Sequence, residues 1–498
     1  MANIKEYILN RDESNWRIRG VGFFLSFLIL LIVSIKDNVT VYVADSYYYW
    51  TIGDGIWNNE LGRINFLSFP ETFRGYFYPF LLSTIKMFSE KIGIDAFLMY
   101  RILSSLVFAF FIAIILPYLI EKSLCAIRYM IGILGITLFT CIFWKDFLEY
   151  PFSDAPAMIL FMIACAVGKF LLRQFEEKKR NKFYLFGGAF LLGILLYGAY
   201  NTRLIYLYAG IVLVICLVCG VWKIIFGMEE KGAKRNIACI SAGMIIFTIL
   251  GSLLVAFPQM KINNQYIGKY TPRILSEQLF GYKANLNIYQ LIQGIRLERC
   301  DAVIHEESAS AEAIIFLDSA GVQIIDVENS VILNEMEKFG IADLLKLYFK
   351  YPFDIIGIYA GHILSYITVI YEGFFIHDLN QIDKFAMILN MVLWITGGLA
   401  LAEKKWSVKG IWNKRFLLFA VIPCILLVAG APELRFFIAL HFILYSFIAF
   451  EIDYMVLGRY IKKHWAKVSI AVLMIVCVWF MYIGNLLSEI NANTYLIR

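Results

Sequence analysis

The sequence predicts an all-α polytopic membrane protein of about eleven transmembrane helices, and three observations carry that prediction. Of its 498 residues 60% are hydrophobic and only 17% charged, with a mean hydropathy of +0.69. A soluble chain of this size would carry nearer a quarter charged residues. The apolar residues are gathered into runs of about 17 to 25, the length that crosses a bilayer as a helix. The Lys and Arg residues that give a net charge of +6 stand in short clusters between those runs. Such spacing is what membrane topology requires, so the positive balance does not indicate nucleic acid as a partner.

The first run, at 20–36, follows Lys5, Arg11, Arg17 and Arg19 and resembles a leader peptide in outline. The nearest candidate cleavage site ends at Ala44, with bulky Tyr42 two residues before it, the wrong shape for processing. An uncleaved first helix is expected. Further runs lie at 96–120, 124–143, 155–172, 183–200, 203–226 and 237–257, then at 384–402, 416–431, 434–452 and 468–488. Cationic clusters separate them: Lys122/Arg128, Arg173/Lys178/Lys179/Arg180/Lys182, Lys223/Lys231/Lys234/Arg235, Lys404/Lys405/Lys409/Lys414/Arg415 and Arg459/Lys462/Lys463/Lys467. With the N-terminus inside, every cluster falls on the cytoplasmic side and the C-terminus outside. The expected location is a bacterial plasma membrane.

One segment is decided by that alternation. Residues 352–376 are apolar enough to span but contain Asp354, His362 and Glu372. A single crossing there would put the cluster at 404–415 outside, so an interfacial or half-inserted helix on the outer face is expected; a hairpin pair is the alternative. The chain therefore divides into an N-terminal membrane module, 1–257, with a first outer loop at 37–95 that carries Gly62 and Pro70. A large extracytoplasmic segment follows at 258–383, with mixed helical and short-strand patterning, and then C-terminal membrane helices at 384–498. Neither outer stretch is repetitive or of low complexity. Eight of the nine cysteines lie in or beside apolar runs and only Cys300 in a polar segment, with no CxxC or Cys/His pattern, so they read as packing residues.

Polar groups converge on the outer face. Asp45 sits in Ala44-Asp45-Ser46-Tyr47-Tyr48-Tyr49-Trp50, an aromatic belt suited to the headgroup layer just past the first run. Glu149 and Asp154 lie in the loop Trp144–Asp154, Arg203 follows Asn201-Thr202, and Glu433-Leu434-Arg435 stands between two late runs. Acids and arginines on one face suit a substrate bearing phosphate. Each has a plainer reading: Asp45 as a solvated helix exit, Asp154 as an N-cap ahead of Pro156, Arg203 and Arg435 as snorkelling anchors.

In combination these residues resemble the GT-C superfamily of integral-membrane glycosyltransferases, which includes protein O-mannosyltransferases and the aminoarabinose transferases of lipid A. The family places an acid in the first outer loop, as Asp45 does, and the same loop commonly ends as Arg74-Gly75-Tyr76-Phe77-Tyr78-Pro79 does here. A second acid opens the fourth span, matched by Ser153-Asp154-Ala155. A glycine-spaced span ending in arginine is matched by Gly187-Gly188 through Gly193 to Arg203, with Leu204 where members usually have proline. A late Glu-Arg-Tyr-like motif is similar to Glu433-Leu434-Arg435-Phe436, with an inserted leucine and phenylalanine for tyrosine. The first half of the chain carries most of the resemblance.

The resemblance implies transfer of a sugar from a polyprenyl-phosphate donor to a lipid, glycan or protein acceptor at the outer face, with inversion. Asp45 would be the general base and Asp154 a second acid that orients a cation or the acceptor. Arg203 and Arg435 would hold the departing phosphate. Tyr48, Arg74, Tyr78, Glu149 and Glu433 complete the expected substrate site. Divalent-cation use stays open: Asp45 and Asp154 are two hard oxygen ligands, too few for a protein-only site without a third from Asp146, Glu149 or 258–383. The competing readings are a lipid or glycan transporter or flippase, and a lipid-linked glycan polymerase or ligase. A transporter would show internal repeats and charges at mid-span, and the charges here gather at one end.

Overall fold

A computed structural model gives the architecture. It describes residues 13–36, 39–58, 63–65, 74–120, 126–177, 181–227, 229, 231–274, 286–305, 310–330, 332, 338–371, 373, 375–376, 383–403, 414–492 and 495–497. Gly62, Pro70, Glu372 and the lysines at 5, 122, 178, 179, 404, 405 and 409 lie outside the described residues.

The chain is a multi-pass membrane protein, and helices dominate it. Within a bilayer core each backbone polar group must be satisfied inside its own segment, so apolar runs of this length fold as helices. Ten described helices are long and apolar enough to cross a membrane. They are Arg17–Lys36 (within α1, Glu13–Lys36), α4 (Ala96–Ile120), α5 (Ala126–Phe143), α7 (Asp154–Glu176) and α8 (Lys182–Thr202). The others are α9 (Tyr206–Phe226), Lys234–Ile267 (within α10, Lys231–Ile267), α14 (Lys384–Glu403), α16 (Leu434–Glu451) and α18 (Trp465–Ala492, apolar through Ser488). The expected span at 416–431 is a shorter apolar stretch, α15 (Arg415–Leu427).

Between the spans, one end of the bundle carries α2 (Ala44–Ile56), α3 (Phe77–Ile92) and the single-turn α6 (Asp146–Glu149). The long stretch between α10 and α14 carries α11 (Leu286–Arg296), α12 (Ile341–Lys350) and α13 (Pro352–Ile367). Strands β1 (Trp57–Asn58) and β2 (Arg63–Ile64) form a small hairpin. A second sheet has the order β5-β3-β4-β6, from β3 (Leu297–His305), β4 (Ser310–Leu317), β5 (Phe375–Ile376) and β6 (Tyr495–Ile497). α17 (Tyr454–Lys463) joins the last two spans.

Two expected boundaries look different in three dimensions. α10 runs on through Pro258 to Ile267, ten residues past the expected module edge at 257, so Gln259 and Asn263 belong to the same helix as the apolar run before them. The final strand β6 pairs antiparallel with β4, Ile314 opposite Leu496, so residues near the C-terminus join the sheet of β3 and β4. Residues 352–376 are not one helix. α13 ends at Ile367, where Asn390 of α14 donates to its carbonyl at 2.6 Å and Tyr366 stacks on Phe437 at 3.6 Å between ring centroids.

The stretch between α10 and α14 is tied to the loop after α15. His362 places its two ring nitrogens 2.6 and 2.7 Å from the carbonyls of Val428 and Leu297, Tyr366 donates to Leu427 O, and Cys300 N donates to Pro432 O. That loop leads straight into Glu433 and Arg435.

Candidate functional site

The site is built where α2, the Arg74 loop, the start of α7, the end of α8 and the start of α16 meet. α2 begins with Ala44 in the left-handed region at φ +50°, the one described non-glycine residue there. A Cβ close to the following carbonyl makes that conformation cost about 1–2 kcal/mol. Ser46 holds it: its hydroxyl donates to Val43 O and accepts from Val43 N at 3.1 Å, closing the turn that aims Asp45 outward. Strain at such a position is characteristic of functional turns. One helical turn on, Tyr48 and Tyr49 share the face of Asp45, at i+3 and i+4.

Onto that face comes Arg74. Its Nη2 donates to Asp45 Oδ1 at 2.9 Å, and its guanidinium lies over the rings of Tyr48 at 4.6 Å and Tyr49 at 4.9 Å. Arg435 donates through Nη2 to Asp45 Oδ2 at 3.0 Å and through Nε to Glu433 at 2.6 Å, and its Nη1 faces Asp154 Oδ2 at 3.9 Å. Arg203 forms an ion pair with Asp154 Oδ1. Phe436 lies between the two late cations, 4.7 Å from Arg203 and 5.3 Å from Arg435, while Phe152 covers Arg435 at 4.9 Å. Three carboxylates and three guanidiniums thus form one network, and aromatic faces screen it from water. It is not sealed: the Asp45 and Glu433 side chains are 30% and 27% exposed, Asp154 only 6%.

The electrostatics follow from that geometry. Burial pushes the Asp45 carboxyl up, but Arg435 and Arg74, with Arg203 behind them, hold it well below the usual carboxylate range. Asp45 is therefore ionised at neutral pH, with both oxygens occupied by guanidiniums.

Asp154, Arg203 and Arg435 have partners other than those their plainer readings would give them. Asp154 is not an N-cap: the helix starts at Asp154, Ser153 is the capping position and makes no side-chain cap bond, and the Asp154 carboxylate turns to Arg203. Arg203 and Arg435 do not snorkel, because both are spent on carboxylates. Of the expected site residues, Asp45, Asp154, Arg203, Arg435, Arg74, Glu433 and Tyr48 come together. Tyr78 instead lies in the packed interior, 3% exposed and edge-on to Tyr49 at 5.3 Å. Glu149 is buried on α6 at 1% exposure.

Tyr49 and Phe152, which sequence reasoning left out, form part of the lining; the helical phase of α2 is the signal that would have found Tyr49. Among the described residues no group of three or more His, Cys, Asp or Glu is placed to hold a metal ion. Asp45 Oδ2 and Asp154 Oδ2 lie 3.0 and 3.9 Å from the Arg435 guanidinium.

Separately, α7, α8, α9 and α10 line an open apolar groove of about 700 Å³, with Leu192, Leu196, Val214, Trp222, Met244 and Ile249 in its wall. Tyr197, also in its wall, is six residues before Arg203, or about 9 Å along the helix axis.

No protein-family model matches this chain, and no curated protein matches it. Among solved structures it is similar to the archaeal oligosaccharyltransferase AglB from Archaeoglobus fulgidus, in complex with an inhibitory peptide and a dolichol-phosphate. Sequence identity is 13% and the TM-score 0.44, over 96% of this chain and 56% of that one. The chain thus spans little more than half the length of that protein.

Proposed function

We propose that this protein is an integral-membrane glycosyltransferase that moves a sugar from a polyprenyl-phosphate donor to an acceptor at the outer face. The observation that carries the reading is the set of three arginines, Arg74, Arg203 and Arg435, gathered about Asp45 and Asp154 at one end of the bundle, with the Asp45 side chain 30% exposed. Guanidiniums offer the paired donors that phosphate oxygens match. The apolar groove suits an isoprenoid chain, and its lining residue Tyr197 stands on the helix that ends at Arg203.

In this reading the donor phosphate takes guanidinium hydrogen bonds away from Asp45. A carboxylate so released becomes a stronger base, and it is then placed to accept the proton of the acceptor group. The acceptor oxygen or nitrogen forms its bond to the anomeric carbon as the bond from that carbon to the phosphate oxygen breaks. The phosphate leaves with the electron pair and is held by Arg203 and Arg435. Attack opposite the phosphate inverts the anomeric centre.

The test is sugar transfer in membranes from a panel of polyprenyl-phosphate sugars, comparing the parent with Asp45→Asn at matched expression. Asn is nearly isosteric but cannot take the proton. Loss of turnover with donor binding retained supports Asp45 as the base; full activity in Asp45→Asn removes that role. Donor movement across the bilayer without turnover by the parent would favour the flippase reading instead.

A further inference from the structure

α3 begins without a cap of its own. Its capping residue, Tyr76, makes no side-chain cap bond, and the first amide groups of a helix have no partner inside it. Those donors are met from two other helices. Phe77 N donates to Asn201 Oδ1 at 2.8 Å, and Tyr76 N donates to Gln259 Oε1 at 3.3 Å. The two amides are joined, Asn201 Nδ2 donating to Gln259 Oε1 at 3.0 Å. Gln259 in turn donates to Asn263 Oδ1 at 3.1 Å, and Asn263 donates to the carbonyls of Thr271 and Arg273. All three side chains are buried, Asn201 at 1% and Gln259 and Asn263 at 0% exposure. Gly75 completes the joint, because a Cβ there would lie 1.7 Å from Asn201 O. Tyr76 adds a hydroxyl bond to Val255 O at 2.7 Å.

We propose that Asn201 and Gln259 are positioning residues: by capping α3 from outside they clamp Gly75–Phe77 to the outer ends of α8 and α10, and so fix Arg74 on Asp45. Two neutral amides serving only as polar glue between α8 and α10 would bond each other and stop there. Here both acceptor oxygens are turned to the backbone of a third element, the one that carries Arg74 one residue before the joint. The functional part of this inference rests on the glycosyltransferase reading; the structural part does not.

The experiment uses the full-length protein in nanodiscs with Gln259→Met, Gln259→Glu and Arg74→Met. Hydrogen exchange is followed at 74–80, with 96–110 as control, and turnover is followed on a polyprenyl-phosphate sugar. Losing its acceptor should speed exchange at Tyr76 about tenfold in Gln259→Met, and Phe77 should follow in the same direction because Asn201 loses the Gln259 oxygen that holds it, with the control unchanged. Gln259→Glu, neutral when buried, keeps the acceptor and donates its hydroxyl to Asn263, so it should stay within about twofold of the parent in both readouts. Gln259→Met should lower kcat in the parent background but have less than about a twofold effect once Arg74→Met is present, because both act through one contact. Unchanged exchange at Tyr76 overturns the proposal, and so does a Gln259→Met effect that multiplies fully with Arg74→Met. If the parent turns over no donor, the glycosyltransferase reading fails while the exchange data still decide the positioning.

Discussion

Replacing Arg435 by Met is the sharpest perturbation of the network, because this one guanidinium meets all three acids. It makes two short charge-assisted hydrogen bonds, to Asp45 at 3.0 Å and to Glu433 at 2.6 Å. Each such bond contributes about 1.5–3 kcal/mol where water is excluded. Asp45 and Glu433 are 30% and 27% exposed, and water screens part of that, so the loss should be about 2–4 kcal/mol. Turnover should fall more steeply, by about 10²–10³, if the same group stabilises charge on the departing phosphate.

The pH dependence supplies an independent check. The Asp45 carboxyl titrates below its ordinary value in the folded protein, so it contributes stability above the unfolded pKa of about 4. That contribution is lost as pH falls from there through the folded pKa. Without Arg435 the folded pKa moves back up and the acid-dependent loss shrinks. The assay is apparent melting temperature from pH 7 down to pH 3, with donor affinity and kcat at neutral pH. An Arg435→Met protein that keeps parent melting, the parent acid slope and turnover within twofold would refute the reasoning. Arg435→Lys should fall between, because a point charge cannot serve Asp45 and Glu433 with the planar fork of an arginine.

Three further outcomes are expected. Gly75→Ala should cost at least about 2 kcal/mol or abolish folding, seen as reduced recovery of monodisperse protein, since the new Cβ would overlap Asn201 O. Burial pushes Lys86 down to about 8, against the ion pair with Asp54 that pulls it up. Its folded pKa lies below the unfolded value of about 10.4, so the unfolded chain binds more protons and stability attributable to Lys86 should rise between about pH 8 and 10; the increment should vanish in Lys86→Met. Leu196→Trp, which fills the apolar groove, should raise KM for a long-chain polyprenyl donor several-fold while leaving a short-chain, water-soluble donor little changed.

The chain's hydropathy determined its class and nearly all of its spans, because lipid forbids unsatisfied backbone and leaves helices as the solution for long apolar runs. Charge clustering likewise put Asp45, Asp154, Arg203 and Arg435 at one end, and the ion pairs among them are what a shared end permits. Partner choice was not legible: nothing in the order of residues says that Arg435 would reach Asp45, 390 positions away, or that Arg74 would share the same carboxylate. Those contacts depend on which helices pack side by side. Asp154 shows the limit at short range, where Ser153 and Pro156 suggest a cap until Arg203 arrives from α8 and takes the carboxylate. Tyr78 and Glu149 show it again: polar residues in the right loops turned inward because packing of neighbouring elements, not sequence position, decides which face is covered. The extension of α10 past Pro258 and the buried amides of Asn201 and Gln259 needed tertiary structure for the same reason. A polar side chain in an apolar helix reads as a defect until the backbone donor it serves, on another helix, is in view.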